Sequence, residues 1–179
     1  RAKEKNLEFS VDVSPDLPSE LLGDDMRIKQ VLINVLNNAI KYTSEGSVRL
    51  QIQCERNDSG VALVSYAISD TGMGIKTESI PYLFTAFKRV DMDKNKYIEG
   101  TGLGLNIASS LLKIQDSELK VKSEYGVGSV FTAVIDQKII DPKPMDEFLA
   151  KETKTTEEFR LGTIKVFGTK VLVVDDNQI

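Results

Sequence analysis

The most constraining feature of this sequence is one long amphipathic helix set between segments that alternate like strands. Apolar residues from Ile28 to Ile40 recur three or four positions apart, which is the period of a helix with one buried face. Residues 7–13 before it and 48–54 after it alternate between apolar and polar types, so each is predicted as a strand with one buried face. Residues 61–69 are almost continuously apolar and are predicted as a central strand.

The remaining elements complete the pattern of an α/β fold. Helices are predicted at about 77–85 and 103–112, and strands at about 118–123 and 129–136. The segment 15–18 contains two prolines and is predicted to break the first strand. Strands that follow one another directly imply a mixed or antiparallel sheet. The predicted fold class is an α/β two-layer sandwich: a mixed, mostly antiparallel five-stranded sheet with three helices on one face.

The composition excludes several classes of protein. Hydrophobic residues are 41% and charged residues 28% of the chain, a globular balance that excludes disorder along its whole length. The net charge of −4 gives no general attraction to nucleic acid, so no nucleic-acid partner is expected. The absence of histidine excludes Ser-His-Asp triads and Cys-His pairs. The single cysteine, Cys54, excludes a disulfide framework and fits a reducing compartment.

A change of composition divides the chain after residue 137. Residues 1–137 carry the elements described above and are predicted to form one domain. Residues 138–168 are rich in Lys, Glu, Thr and Pro with only scattered apolar residues, and they are predicted to form a linker. Residues 169–179 contain one strand that ends in two acids. Because a lone strand does not fold by itself, this segment is predicted to begin a further, truncated domain.

The long helix carries an unusual polar edge. Asn34, Asn38 and Lys41 lie within an arc of roughly 60° beside its apolar stripe. A carboxamide oxygen can ligate Mg²⁺ without adding charge, and an ammonium group can bind phosphate. A solvated helix edge is the alternative interpretation.

Two glycine-containing segments can also be interpreted either as binding sites or as ordinary structural features. In segment 70–75, which follows the central strand, the Asp70 carboxylate can accept a hydrogen bond from a base amine, although an ordinary strand-end turn has the same composition. Segment 100–104 opens a helix with small residues, which leaves backbone amides free to bind anionic oxygens. A flexible loop end is the alternative there.

Five segments of the chain follow one another in a specific order. They read QVLINVLNNAIKYT (30–43), ISDTGMGI (68–75), LFTAFKRVD (83–91), EGTGLGL (99–105) and YGVGSVFTAVI (125–135). Together they resemble the N, G1, F, G2 and G3 boxes of the catalytic ATP-binding domain of sensor histidine kinases, in the GHKL superfamily. The resemblance covers about residues 5–136 and implies a Bergerat-type ATP-binding fold. The segment KVLVVDDNQI (170–179) resembles the first strand of a response-regulator receiver, as in hybrid histidine kinases.

The resemblance implies a role for each matching residue. Asn38 would coordinate the Mg²⁺ that bridges the ATP phosphates, with Asn34 as a second polar neighbour of the metal and a member of the catalytic group. Lys41 would contact phosphate, and Tyr42 would pack near the adenine. The adenine amino group would donate to Asp70. The other implied nucleotide contacts are Gly72 and Gly74 around the adenine, Phe87 and Arg89 at the lid, Gly100, Thr101, Gly102, Leu103 and Gly104 along the phosphates, and Thr132 behind the adenine; Arg89 is also implied as catalytic.

The residues and the resemblance both favour a kinase over an ATPase. Hydrolases of the superfamily place a glutamate one turn before the metal-binding asparagine to activate water, and here that position is Asn34. An amide is not a base, and general-base help is worth about 10²–10⁴-fold. Transfer to a neutral imidazole needs mainly positioning and charge neutralisation. A GHKL-type ATPase and a non-catalytic binding module are the alternatives.

The resemblance also implies partners outside this chain. Because the chain has no histidine, the phosphoacceptor would lie on a histidine-bearing dimerisation domain, and a receiver domain or response regulator would take the phosphoryl group onward. The fragment is expected to be monomeric, the full protein homodimeric, and the location cytoplasmic. Any membrane anchor of the full protein would lie in other segments.

Overall fold

The computed structural model describes residues 1–56, 60–86 and 102–145, and its elements largely follow the predicted order. They are a first 3₁₀ helix (Lys3–Lys5), β1 (Glu8–Val13), β2 (Pro18–Leu22), α1 (Asp25–Tyr42), β3 (Ser47–Arg56), β4 (Val61–Asp70), a second 3₁₀ helix (Thr77–Tyr82), α2 (Gly104–Lys113), β5 (Lys120–Glu124) and β6 (Gly128–Pro144). None of the helices in these ranges is long and apolar enough to span a bilayer.

The strands form one mixed sheet. Its order is β1-β3-β4-β6-β2, and β5 pairs with the first part of β6. The β1–β3 pair is parallel, and the other pairs are antiparallel. The predicted two-layer α/β sandwich with a mixed, mostly antiparallel sheet is therefore confirmed. The predicted number of strands was wrong, because the described residues form a 6-stranded sheet and not a five-stranded one.

The strand that the sequence analysis missed is β2. Its first residue is Pro18, which belongs to the segment that was predicted only as a break. Proline has no N–H to donate, but it is tolerated at the first position of an edge strand, and β2 lies at the edge of the sheet. The pairing of β2 with β6 shifts register between Pro18 and Leu21. In keeping with this irregular pairing, apolar and polar residues do not alternate cleanly along β2.

The presence of β2 also explains why β6 is longer than predicted. The sequence analysis began a linker at residue 138, but β6 continues to Pro144. Four residues in the range 138–144 of β6 pair with β2, which keeps this stretch in the sheet although it contains two prolines and three charged residues. The predicted linker thus begins inside the sheet, while residues 146–168 lie outside the described ranges.

Both α-helices belong to a common core on one face of the sheet. Leu50 of β3 pairs with Ile68 of β4, which pairs with Phe131 of β6, and all three side chains are buried. The helices add further buried residues to this cluster: Ile28, Val31, Val35 and Ala39 from α1, and Ala108 and Leu112 from α2. The helix stripe that the spacing predicted is therefore the stripe that is buried.

Local signals set the ends of α1. The Asp24 carboxylate accepts a hydrogen bond from the backbone N–H of Arg27 at 3.0 Å, a cap worth about 1 kcal/mol. At the other end Thr43 is extended, and its hydroxyl donates to the Ala39 carbonyl at 2.7 Å. The polar edge predicted for this helix consequently lies between two well-defined ends.

Candidate functional site

The start of α2 lies against the polar edge of α1. A Cβ placed on Gly104 would lie 3.7 Å from Nδ2 of Asn38 and 3.9 Å from Oδ1 of Asn34. Both carboxamides therefore face the first turn of α2. The structure thus brings together two groups of residues that are far apart in the sequence and were both predicted to bind phosphates or their metal.

Asn34 has an unused hydrogen-bond donor at this junction. Its Oδ1 accepts from Nε2 of Gln30 at 3.2 Å, whereas its buried Nδ2 has no hydrogen-bond partner among the described residues. Leaving a buried amide donor unsatisfied costs about 1–3 kcal/mol. A ligand oxygen between the two helices would remove this cost.

The first turn of α2 also offers backbone donors. Its N-cap residue is Leu103, which makes no side-chain capping hydrogen bond. The first amides of an α-helix have no partner inside the helix, and they attract anionic oxygens. Gly102, just before the cap, has φ of 74°, a conformation that favours glycine. Leu103 and Gly104 therefore lie at the start of α2, beside backbone amides that have no partner within the helix.

Lys41 and Tyr42 lie together at the C-terminal end of the same helix. The Lys41 ammonium nitrogen lies 4.7 Å from the centroid of the Tyr42 ring, a cation–π contact. The Tyr42 carbonyl accepts from the backbone N–H of Met73 at 3.3 Å, which joins the helix end to the segment after β4. The backbone of Tyr42 therefore lies beside the segment to which the resemblance assigns the base.

Asp70 ends β4 as a half-buried carboxylate. It accepts the backbone N–H of Gly72 at 2.9 Å and that of Ser129. Burial raises the pKa of the Asp70 carboxyl, and the two backbone hydrogen bonds oppose that rise. A carboxylate has about four acceptor positions, so two remain for the donors of a ligand. This arrangement suits recognition of an exocyclic amine.

Gly72 connects Asp70 to α1. A Cβ on Gly72 would lie 2.5 Å from the Tyr42 carbonyl oxygen and 2.9 Å from Oδ1 of Asp70. No side chain fits there without displacing the backbone. The close approach holds the Asp70 loop against the end of α1. The residues predicted to bind adenine and those predicted to bind phosphate therefore both lie on or beside α1.

Two further backbone contacts join this loop to the β5–β6 hairpin. A Cβ on Gly74, which has φ of 64°, would collide with the Glu124 carbonyl oxygen. A Cβ on Gly128 would collide with the Asp70 carbonyl oxygen. The hairpin therefore packs directly on the main chain at Asp70 and at Gly74, the two ends of the segment that was predicted to surround the base.

A hydroxyl network lies behind Asp70. The Ser123 hydroxyl accepts the N–H of Ile75 at 2.8 Å and lies 2.8 Å from the Gly128 carbonyl and 3.0 Å from Oγ of Ser129. Ser129 is buried and its N–H reaches the Asp70 carboxylate. The backbone of Ser129 therefore holds the carboxylate, and Ser123 joins the start of β6 to Ile75; the sequence analysis did not single out either serine.

The structure does not bring Thr132 to the predicted adenine position. Asp70 pairs with Ser129, and Thr132 lies three residues further along β6. Successive side chains on a strand alternate between faces, so Thr132 points to the opposite face of the sheet from Ser129. Strict alternation from the buried Phe131 would have identified Ser129 as the residue on the correct face.

Several predicted residues cannot be placed in this site. Phe87, Arg89, Gly100 and Thr101 lie outside the described residues. A magnesium site also has few protein ligands here, because the described residues contain no group of three or more acids or cysteines that could hold a metal. Mg²⁺ is commonly held by one or two protein oxygens together with phosphates and water. The carboxamides beside Gly104 have the chemistry of such a shared site.

A protein-family model matches residues 23–139. Its description is histidine kinase-, DNA gyrase B-, and HSP90-like ATPase. The matched range contains α1, the Asp70 loop, α2 and the β5–β6 hairpin, which are the elements that build the site.

Curated relatives with similar sequences are sensor kinases. Hybrid signal transduction histidine kinase B of Dictyostelium discoideum is 41% identical over 132 residues, covering 74% of this chain and 7% of that protein. Sensor histidine kinase RcsC of Salmonella typhimurium is 38% identical over 128 residues, covering 72% of this chain and 13% of that protein. The chain thus spans only a small part of these relatives.

Solved structures show the same fold. Full-length ShkA in complex with AMPPNP matches with a TM-score of 0.65 and 32% identity, covering 79% of this chain and 28% of that one. The catalytic domain of histidine kinase ThkA in a nucleotide-free form matches with a TM-score of 0.57 and 26% identity, covering 75% of this chain and 83% of that one.

Proposed function

Because the chain belongs to the family of histidine kinase-, DNA gyrase B- and HSP90-like ATPases, we propose that it is the ATP-binding catalytic domain of a two-component sensor histidine kinase. Its reaction would be transfer of the γ-phosphoryl group of ATP to a histidine on a dimerisation domain outside this chain. One observation carries this proposal: Asn34, Asn38 and Gly104 meet at one junction, and Asp70 is joined to the same helix through Gly72.

The nucleotide would lie along the C-terminal half of α1. The adenine amino group would donate to Asp70, beside Tyr42. The phosphates would lie between α1 and the first turn of α2, where backbone amides and the free Nδ2 of Asn34 can donate to them. A purine beside Asp70 would use the free acceptor positions of the carboxylate. Phosphates between α1 and α2 would use the free donors there.

Magnesium would be held between Asn38 and the phosphate oxygens. When bound, it would neutralise charge that develops on the transferring phosphoryl group. The protein residues would position the nucleotide: Asn38 would supply a carboxamide oxygen, Asn34 a neighbouring polar group, and Lys41 a cation near the C-terminal end of the helix.

The chemistry at Asn34 favours transfer over hydrolysis. The acceptor imidazole nitrogen would form a bond to the γ-phosphorus while the bond to the β–γ bridging oxygen breaks, ADP departs, and the imidazole proton passes to solvent. This reaction needs no base to activate water. Asn34 interacts with Gln30, and neither side chain can remove a proton from water. Hydrolysis would therefore be slow.

The wider assembly is also a proposal, supported by the names of the relatives. We propose that the histidine-bearing domain forms a homodimer and that a receiver domain or response regulator accepts the phosphoryl group. Residues 169–179 would begin such a receiver, after a linker that starts beyond β6. Hybrid kinases such as the Dictyostelium relative are named for a comparable combination. A cytoplasmic location fits this reaction because ATP is its substrate.

The metal role of Asn38 can be tested by calorimetry. We expect Asn38→Ala to weaken binding of AMPPNP with Mg²⁺ by about tenfold, the effect of losing one contact to a charged group. Binding measured in EDTA should fall much less. The matched control is Asn37→Ala on the same helix, where the side chain accepts only from Arg1 among the described residues, at 3.3 Å. Equal losses for Asn38→Ala with and without metal would contradict the metal role.

The reaction itself can be tested with γ-labelled ATP. The chain should label an added polypeptide that carries the acceptor histidine, and the label should be acid-labile and alkali-stable, as expected for phosphohistidine. Phosphate release by the chain alone should be slow. Steady phosphate release without any histidine-bearing partner would instead support the alternative, a GHKL-type ATPase.

A further inference from the structure

The end of α1 is completed by Lys5, a residue that precedes this helix in the chain. The last four carbonyl groups of an α-helix have no partner within the helix. The ammonium group of Lys5 donates to the carbonyl oxygens of Ile40, Lys41 and Thr43, at 2.8, 3.0 and 3.1 Å. The Tyr42 carbonyl accepts from Met73. Every carbonyl from residue 40 to residue 43 is therefore satisfied, three of them by one side chain.

The position of Lys5 is fixed by its own short turn. The Lys5 N–H donates to the Arg1 and Ala2 carbonyls at 3.3 and 3.2 Å, and Asn6 adopts a left-handed conformation with φ of 53°. Leu7 then enters the core at 6% exposure. The Lys5 backbone is thus anchored, and its side chain reaches the helix without ordering a long flexible segment.

The carbonyls that Lys5 holds lie next to the nucleotide residues. Lys41 carries one of them itself, and the next two peptide units contain Tyr42 and Thr43. Gly72 packs on the Tyr42 carbonyl and on the Thr43 side chain, and its N–H donates to Asp70. A shift of the last turn of α1 would therefore move Tyr42 and the Asp70 loop together.

We infer that Lys5 is a positioning residue for the nucleotide site, which holds the C-terminal turn of α1 in the conformation that binds the base. This inference rests on the proposed ATP-binding function and extends it to a residue that touches no ligand. A positive charge at a helix C-terminus also interacts favourably with the helix dipole, so the ammonium stabilises this turn by charge as well as by hydrogen bonds.

Replacement of Lys5 by methionine tests the inference. Lys5→Met keeps most of the side-chain length and removes the donors and the charge. We expect the Kd for AMPPNP with Mg²⁺ to rise about two- to fivefold, the change in an equilibrium constant that corresponds to losing one charge at a helix end. Lys5→Arg keeps the charge and the donors and should restore binding. Amide hydrogen exchange at Met73 should accelerate in Lys5→Met and return to the original rate in Lys5→Arg.

Lys3→Met is the matched control, because it makes the same charge change two residues away. The Lys3 side chain makes no hydrogen bond or ion pair in the described part of the chain, so its variant should keep the original Kd. The measurements are made in the 179-residue chain, well below the unfolding midpoint of each variant. Repeating them at about 0.15 M and about 0.5 M salt separates long-range charge effects, which salt screens, from positioning.

The possible outcomes distinguish this inference from the proposed function. If Lys5→Met lowers the unfolding midpoint but leaves the Kd unchanged, Lys5 only stabilises the fold and the inference is overturned. An effect shared by Lys3→Met, or one that disappears in high salt, overturns it as well. If the original chain binds no nucleotide, the proposed function fails and the inference fails with it.

Discussion

Replacement of Gly104 by alanine should strengthen the fold and weaken nucleotide binding at the same time. Gly104 is the first residue of α2 and does not have a positive φ. Its added Cβ would meet nothing closer than Nδ2 of Asn38, at 3.7 Å, which is ordinary van der Waals contact. The fold therefore accommodates the methyl group. It would occupy the space between the two helices in which the phosphates are proposed to lie.

Both effects have expected sizes. Replacing glycine by alanine at a compatible site stabilises a protein by about 0.4–1 kcal/mol, mainly by restricting the unfolded chain. For a domain of this size the unfolding midpoint should rise by about 1–4 °C. A phosphate oxygen displaced by the methyl group would lose a charge-assisted hydrogen bond worth about 1.5–3 kcal/mol. The Kd for AMPPNP with Mg²⁺ should therefore rise by a factor of about 10–150.

Scanning fluorimetry without ligand and calorimetry with AMPPNP measure the two effects separately. Ser110→Ala is the control, because Ser110 is exposed on the same helix and lies two turns from the junction. It should change the midpoint slightly and leave the Kd unchanged. A Gly104→Ala protein that is stabilised and still binds the nucleotide normally would refute the placement of phosphates between α1 and α2.

Two further substitutions test the base pocket and the core. Burial raises the pKa of Asp70 in the fold, so its charged form destabilises the protein as pH rises from the ordinary value of about 4 through the raised one. Asp70→Asn should therefore be more stable to heat than the original chain over that pH interval. It should also bind ATP no better than GTP. Equal pH dependence of stability in the two proteins, or an unchanged preference for ATP over GTP, would contradict the role assigned to Asp70. Leu112 is 0% exposed, so Leu112→Ala should cost about 2–5 kcal/mol in urea unfolding, while Ile114→Ala, at a residue 61% exposed, should cost less than about 1 kcal/mol. Similar losses at both positions would contradict the described burial of α2.

The long helix and the central strands of the fold could be predicted from the sequence. The apolar spacing of α1 is unambiguous because a helix of this length repeats its signal over several turns. The alternation in β3 is equally clear because one face of this strand lies on the core, whereas β4 was recognised from its nearly continuous apolar run. The approach of Asn38 to Gly104 was predicted only from the order of the motifs, because no local pattern measures the distance between two helices.

Each error of prediction has a structural cause. The short edge strand β2 begins at Pro18 and shifts register against β6, so it shows neither good strand residues nor a clean alternation. Residues 138–144 contain two prolines and three charged residues but lie in the sheet because the distant strand β2 pairs with them. Thr132 was assigned from its place in a motif, whereas the alternation of β6 places Ser129 beside Asp70.

The contacts of Gly72, Gly74 and Gly128 limit how this pocket can change during evolution. At each of these positions main chain lies against main chain, so no side chain exists there that successive small substitutions could enlarge or shrink. If the base binds as proposed, new base preferences would have to arise through side chains at other positions, such as the carboxylate of Asp70. The pocket should therefore diverge slowly in shape and mainly in hydrogen-bonding character.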